Sequence, residues 1–149
     1  MIQALQITPE ILTSNVDNLN FSIIDLRSRT ANCCGWLQYM NGGSDFTILG
    51  GGTYEISFNA NVTSETAGQV AIALKSSTGS DIEGTEMDAD ITTPGVYTNI
   101  SFNKIIRLCE RVNTTISIGS LASVGSVTPI VTTEAPTIKD ANLIIRKIA

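Results

Sequence analysis

The stretch FTILGGGTYEISFNANV, Phe46 to Val62, decides how the rest of the chain is read. From Thr53 its period is two. Tyr54, Ile56, Phe58, Ala60 and Val62 point one way, and Glu55, Ser57, Asn59 and Asn61 point the other. That alternation predicts a half-buried strand with one wet face. Full burial of the larger apolar side chains contributes roughly 1.5–3 kcal/mol each, which makes this a core strand. Gly50-Gly51-Gly52 precedes it as a turn, and Thr63-Ser64-Glu65-Thr66 with Gly68 closes it.

Working outward, the same period recurs in short pieces. Phe21 to Leu26 is a candidate strand. Trp36 to Tyr39 and Phe46 to Leu49 flank Asn41-Gly42-Gly43, a hairpin signal. Val70, Ile72 and Leu74 share a face with alanines opposite. Asp81 to Ile91 reads as a polar edge. Tyr97 to Leu108 starts by alternating through Ile100 and Phe102, and Ile105-Ile106 then breaks the alternation, which predicts a bulge or a change of face. Thr114 to Ser120 alternates through Ile116 and Ile118. Val127 to Thr132 and Ala141 to Ile148 complete the set. Pro94 and Pro129 fall at strand borders, where proline is tolerated.

Many short strands between Gly, Asn and Ser turns predict an all-β sandwich or barrel. The one candidate helical turn is 8–15, with Pro9 at its first position. Residues 1–20 show no steady apolar period. The expected division is therefore a short N-terminal arm, 1–20, and a β domain, 21–149.

The chain has 149 residues, 42% of them hydrophobic and 15% charged, room for one domain with a real core. Its net charge of −5 argues against nucleic acid as a partner. No run approaches the roughly 18 apolar residues of a membrane span. There is no histidine, so Ser-His-Asp and Cys-His catalysis and His-ligated zinc cannot be assembled from this chain alone. The expectation is a protein that is not an enzyme. Cys33, Cys34 and Cys109 make a poor disulfide framework and lack zinc spacings. They read as small thiols of a chain made in a reducing cytoplasm, the alternative being a bridge from Cys109 to the pair. The first residues show no basic n-region, and the sequons at Asn61, Asn99 and Asn113 read as chance in a Thr/Asn-rich chain.

Gly52, Tyr54, Ile56, Phe58 and Ala60 form a Gly-x-Tyr-x-(apolar)-x-Phe-x-Ala pattern that resembles the tumour necrosis factor and complement globular-head superfamily. The likeness extends to small bacterial and phage versions through Phe102 to Leu108 and Ala141 to Ile148. The resemblance implies a jelly roll of about ten strands and a compact homotrimer. The last strand, with Leu143 and Ile145 alternating against Ile144 and Ile148, offers surplus apolar surface for such an interface. The collagen-like stalk common in the family is absent, and aromatics, at 5%, are sparse for a trimer axis.

Candidate chemistry is thin. Asp81, Glu83, Glu86, Asp88 and Asp90 crowd one stretch, and carboxylates at close range suit Ca²⁺. Thr85 and Glu86 stand where a calcium loop wants Asp or Asn and then Gly, so a solvated edge that resists aggregation is preferred. The same acids suggest a glycosidase pair only if folding sets them about 5–10 Å apart. Gly50-Gly51-Gly52 leads into a strand with no Gly-Lys-Ser/Thr, so it is not a phosphate loop. Trp36 and Tyr39 could stack on a sugar, although core or interface packing is preferred. Arg27, Arg29, Arg107 and Arg111 are too dispersed for a polyanion patch. No catalytic, cofactor or metal residue is assigned.

The functional expectation is a non-catalytic virion component of a phage, a trimeric head-fibre, capsid-decoration or tail-associated protein. It would dock on a capsid or fibre protein through the N-terminal arm. The alternative is an adhesin head on a bacterial or spore surface that binds a carbohydrate or receptor, such as a host-surface glycan. Fold alone does not choose between them.

Overall fold

In the computed structural model, which describes residues 1–13, 17–26, 35–39, 42–77, 80–109, 112–121 and 134–149, the alternating stretch is the longest strand. Among the described residues there are eleven strands and no helix. They are β1 (Ile2–Gln6), β2 (Glu10–Ile11), β3 (Ile23–Leu26), β4 (Leu37–Tyr39), β5 (Phe46–Ile48), β6 (Gly52–Thr63), β7 (Gly68–Ser76), β8 (Met87–Ile91), β9 (Thr98–Leu108), β10 (Thr114–Ser120) and β11 (Thr137–Lys147). One sheet has the order β3-β1-β11-β6-β9, with β2 also on β11, and the other runs β4-β5-β10-β7-β8. Pairing is antiparallel throughout. From β5 onward the chain crosses between the two sheets at every connection except β7 to β8, and the first strand lies beside the last. This is a jelly-roll sandwich.

The core fills from both inner faces. Tyr54, Ile56, Phe58, Ala60 and Val62 are all buried, as the alternation predicts. Phe58 stands opposite Leu143 on one side and Phe102 on the other, and the two phenylalanine rings stack at 5.9 Å. Phe21 meets Phe46 edge-on at 5.5 Å, and Trp36 lies 5.4 Å from Tyr54. The turn before β6 needs its glycines. Gly50 has φ 81°, and a Cβ on Gly52 would sit 2.7 Å from the Ala149 carbonyl oxygen.

Several expectations change. The N-terminal segment is not a separate arm. β1 lies between β3 and β11, pairing Ile2 with Ile145 and with Leu26. Ile2, Ala4, Leu12 and Leu19 are buried in the common core. The segment lacks a stripe of its own because its two neighbours supply the rest of the buried surface. No helical turn forms within 8–13, where Glu10–Ile11 pairs with β11 instead. Ile105-Ile106 makes no bulge either. β9 keeps unbroken register with β6 from Gly52↔Leu108 to Val62↔Thr98, so Ile106 is buried and Ile105 is 60% exposed. The register shift falls in β11, between Lys139 and Asn142, where Asp140 has φ 51°. The hairpin of β4 and β5 forms as expected. The Val127 to Thr132 strand, Cys33, Cys34, Asn41, Arg27, Arg29 and Arg111 lie outside the described residues.

Candidate functional site

The side of the six-stranded sheet turned away from the core carries a laterally bonded polar array. Its outward positions come from the odd residues of β6 up to Asn61, those of β9, and Gln3, Leu5, Asn142, Ile144 and Arg146. Neighbouring rows are tied across strands. Gln3 Nε2 donates to Asn142 Oδ1 at 3.1 Å. Asn99 Nδ2 donates to the Ala60 carbonyl and to Asn61 Oδ1, at 3.1 and 3.2 Å, and Asn61 Nδ2 donates to Asp140 Oδ2 at 3.3 Å.

At the centre stands Glu55. Asn103 Nδ2 donates to its Oε1 at 3.2 Å and to Ser57 Oγ at 3.3 Å. Arg146 donates to Oε2 through Nε at 2.8 Å and through Nη2. The Asn103 and Arg146 hydrogen bonds hold the Glu55 carboxyl below its ordinary range, reinforced by the Arg146 charge and opposed by partial burial. Both carboxylate oxygens are engaged, so the side chain is fixed in place on an otherwise open sheet. The same side carries apolar residues without a cover, Ile105 and Ile144 beside Glu55, and Leu5 and Ile23 on the more distant strands β1 and β3. Ile105 is 60% exposed and Ile23 43%, with Leu5 and Ile144 half-buried. The last strand divides its apolar residues as its alternation requires, with Leu143 and Ile145 inside and Ile144 on this open side.

The acidic stretch lies elsewhere. β8 is the terminal strand of the five-stranded sheet, with Met87, Ala89 and Ile91 inward and Asp88 and Asp90 exposed. Asp81, Glu83 and Glu86 are exposed as well. Among the described residues no three His, Cys, Asp or Glu side chains gather as metal ligands. The residue that organises this stretch is Thr85, fully buried. Its Oγ1 donates to the Ile82 carbonyl at 2.6 Å and accepts from the Leu74 N–H at 3.1 Å. The sequence marks Thr85 only as a departure from a calcium loop and misses this anchoring role, because a threonine among acids looks like one more polar loop residue.

Lys75 is a second omission. It is only 5% exposed, and burial lowers its pKa against the raising effect of Asp81. Gly119 makes room for its stem, since a Cβ there would lie 2.9 Å from Lys75 Cδ and Cε. Trp36 and Tyr39 are spent on packing against Tyr54 and Phe46. Cys109 is an exposed free thiol on a crevice of about 640 Å³ lined also by Gly52, Thr53, Arg107, Leu108 and Ala149. A smaller cavity of about 280 Å³ lies between Ile11, Thr13, Glu65, Thr66, Glu134 and Ala135. Asn61, near the end of β6, and Asn99, near the start of β9, two of the sequon asparagines, stand opposite each other.

Among solved structures the chain is similar to the globular domain of zebrafish complement 1qA protein, at 15% identity and TM-score 0.62, covering 99% of this chain and 96% of that one. It is similar to an Eiger TNF from S. frugiperda at 10% identity and TM-score 0.63, covering 100% and 92%. Murine APRIL superposes at 11% identity and TM-score 0.59, covering 99% and 100%. At these identities what is shared is the TNF and complement-head jelly roll. No protein-family model matches the sequence, and no curated protein does.

Proposed function

We propose that the protein is a non-catalytic jelly-roll head that works as a homotrimer, its subunits meeting through the open side of the six-stranded sheet. The observation that carries this is the pairing of exposed Ile105 and Ile23 with a rigid, cross-bonded polar array on that same side. A surface of that kind costs side-chain ordering in advance, which favours a defined partner surface over bulk water. The TNF and complement-head fold supports the reading. So does the absence of histidine, which removes the commonest general base.

The proposed setting is a phage virion, as a head-fibre, capsid-decoration or tail-associated protein. Support comes from where the phage-like stretches fall. Phe46 to Val62, Phe102 to Leu108 and Ala141 to Ile148 supply β5, β6, β9 and β11, and the last three are adjacent strands of the sheet that carries the open side. Attachment is assigned to the folded head, since β1 is committed to the sheet. The adhesin reading has less support, because the aromatic side chains a sugar would stack on, Trp36 and Tyr39, face Tyr54 and Phe46. The test is co-purification. The protein is expected on purified virions and as a trimer in solution. Absence from particles, with binding to a glycan array, would favour the adhesin.

A further inference from the structure

On the five-stranded sheet, two side chains reach toward each other across β10. Ser117 stands opposite Lys75 of β7, and Gly119 stands opposite Ala73 on that flank and Asn18 on the other. The Leu19 N–H donates to the Ile118 carbonyl at 2.7 Å, which holds Asn18 beside the strand. Ile116 and Ile118 point into the core, so Ser117, Gly119, Ala73 and Lys75 share the opposite side. Gly119 leaves the space above it open. A Cβ there would lie 2.6 Å from Asn18 Oδ1 and 2.9 Å from Lys75 Cδ and Cε. A lysine and an asparagine from distant parts of the chain thus converge over one glycine.

The spot is dry. Lys75 and Ser117 are each 5% exposed, Ala73 is fully buried and Asn18 is half-buried. A lysine kept there only to fill space is a poor choice, because burying an ammonium costs free energy that an apolar side chain does not. Burial holds Lys75 below the usual lysine range, against the raising effect of Asp81, so more of its amine is neutral and nucleophilic. We infer that Lys75 and Asn18 join in an intramolecular amide bond, tying the segment between β2 and β3 to β7 across β10. The Nζ lone pair attacks Asn18 Cγ, the Cγ–Nδ2 bond breaks, and Nδ2 leaves as ammonia with one proton from the attacking nitrogen. The other Nζ proton stays in the new amide, and nothing is oxidised or reduced. The Ser117 hydroxyl, opposite Lys75 on the same side, passes the proton from one nitrogen to the other. The bond lies within one subunit and does not depend on the homotrimer proposed above.

The experiment is intact-mass measurement and protease digestion of the purified full chain after prolonged incubation. The wild type is expected to be lighter than its sequence by one ammonia. Its digest is expected to contain a branched peptide in which residues 18 and 75 are joined. Lys75→Arg and Asn18→Ala should each regain the full mass and give separate peptides. Where they fold, they should also melt below wild type, since a cross-link restricts the unfolded chain. Gly119→Ala should lose the branched peptide, because its methyl would stand between the two side chains. A wild-type mass equal to that of its sequence overturns the bond, whether or not any variant folds. A wild type that has lost ammonia but yields no branched peptide overturns it too, because the ammonia then came from another amide.

Discussion

Along β6, Tyr54, Ile56 and Phe58 are sealed to 1% exposure or less, while Glu55 and Ser57 stand between them half-buried and bonded sideways to Asn103 and Arg146. The two sides belong to one strand and differ in what constrains them. The inner positions are fixed by neighbours on both sheets, so any change of size or polarity is felt across the sandwich. The outer positions are fixed by hydrogen bonds within their own sheet and leave isoleucines exposed. The inner side explains why the chain folds. The outer side is where the proposed association is placed.

The contrast is broken most severely from the inner side. Phe58→Asp should leave no folded protein by circular dichroism. An unpaired buried carboxylate costs several kcal/mol against a total stability of about 5–15 kcal/mol. Deleting residues 1–6 should do nearly as much, because it removes the strand between β3 and β11 and uncovers both. A truncated chain with unchanged ellipticity and melting would restore the separate arm.

That deletion also shows what could be read in the sequence. The long alternation of β6 was legible because nine successive residues repeat with period two, β10 was legible in the same way, and the β4–β5 hairpin was legible from the Asn41-Gly42-Gly43 turn signal between its strands. β1 was not, because five residues with one alanine inside and Leu5 outside make no stripe. Its identity as a strand comes from Ile145 and Leu26, distant in the chain. Ile105 misled for a related reason. An apolar residue on the outer side looks like a break in the pattern, whereas the register with β6 continues straight through it. At the candidate site, the residue types of the open side could be inferred from alternation. Their lateral pairing could not, since Glu55 meets Arg146 only once β11 lies beside β6.

A smaller loss is expected at the acidic stretch. Thr85→Ala leaves the Leu74 N–H without its partner and should cost about 1–3 kcal/mol, read as a fall in melting temperature. Adding calcium or EDTA should leave that temperature unchanged. A calcium shift of several degrees would mean that the carboxylates converge on an ion after all.

On the outer side the effects on folding shrink further and become dependent on pH. Glu55 has a lowered folded pKa, so the stability contributed by its ionised form is present above the ordinary carboxylate range and is lost as pH falls through that lowered value. Melting of wild type should therefore show an acid-dependent component that Glu55→Gln lacks. Identical pH profiles for the two would detach Glu55 from the array.

The smallest effect on the isolated fold is expected from Ile105→Ser, within about 0.5 kcal/mol of wild type, because the side chain touches little within its own subunit. Its effect on association should be large, and that difference is the central claim in its plainest form. Sedimentation equilibrium of the wild type and Ile105→Ser across the micromolar range tests it directly. The expected result is a wild-type species of three times the chain mass and a variant that dissociates at far higher concentration while melting alike. A wild type that sediments as a single chain throughout, or a variant whose assembly is unchanged, would contradict it.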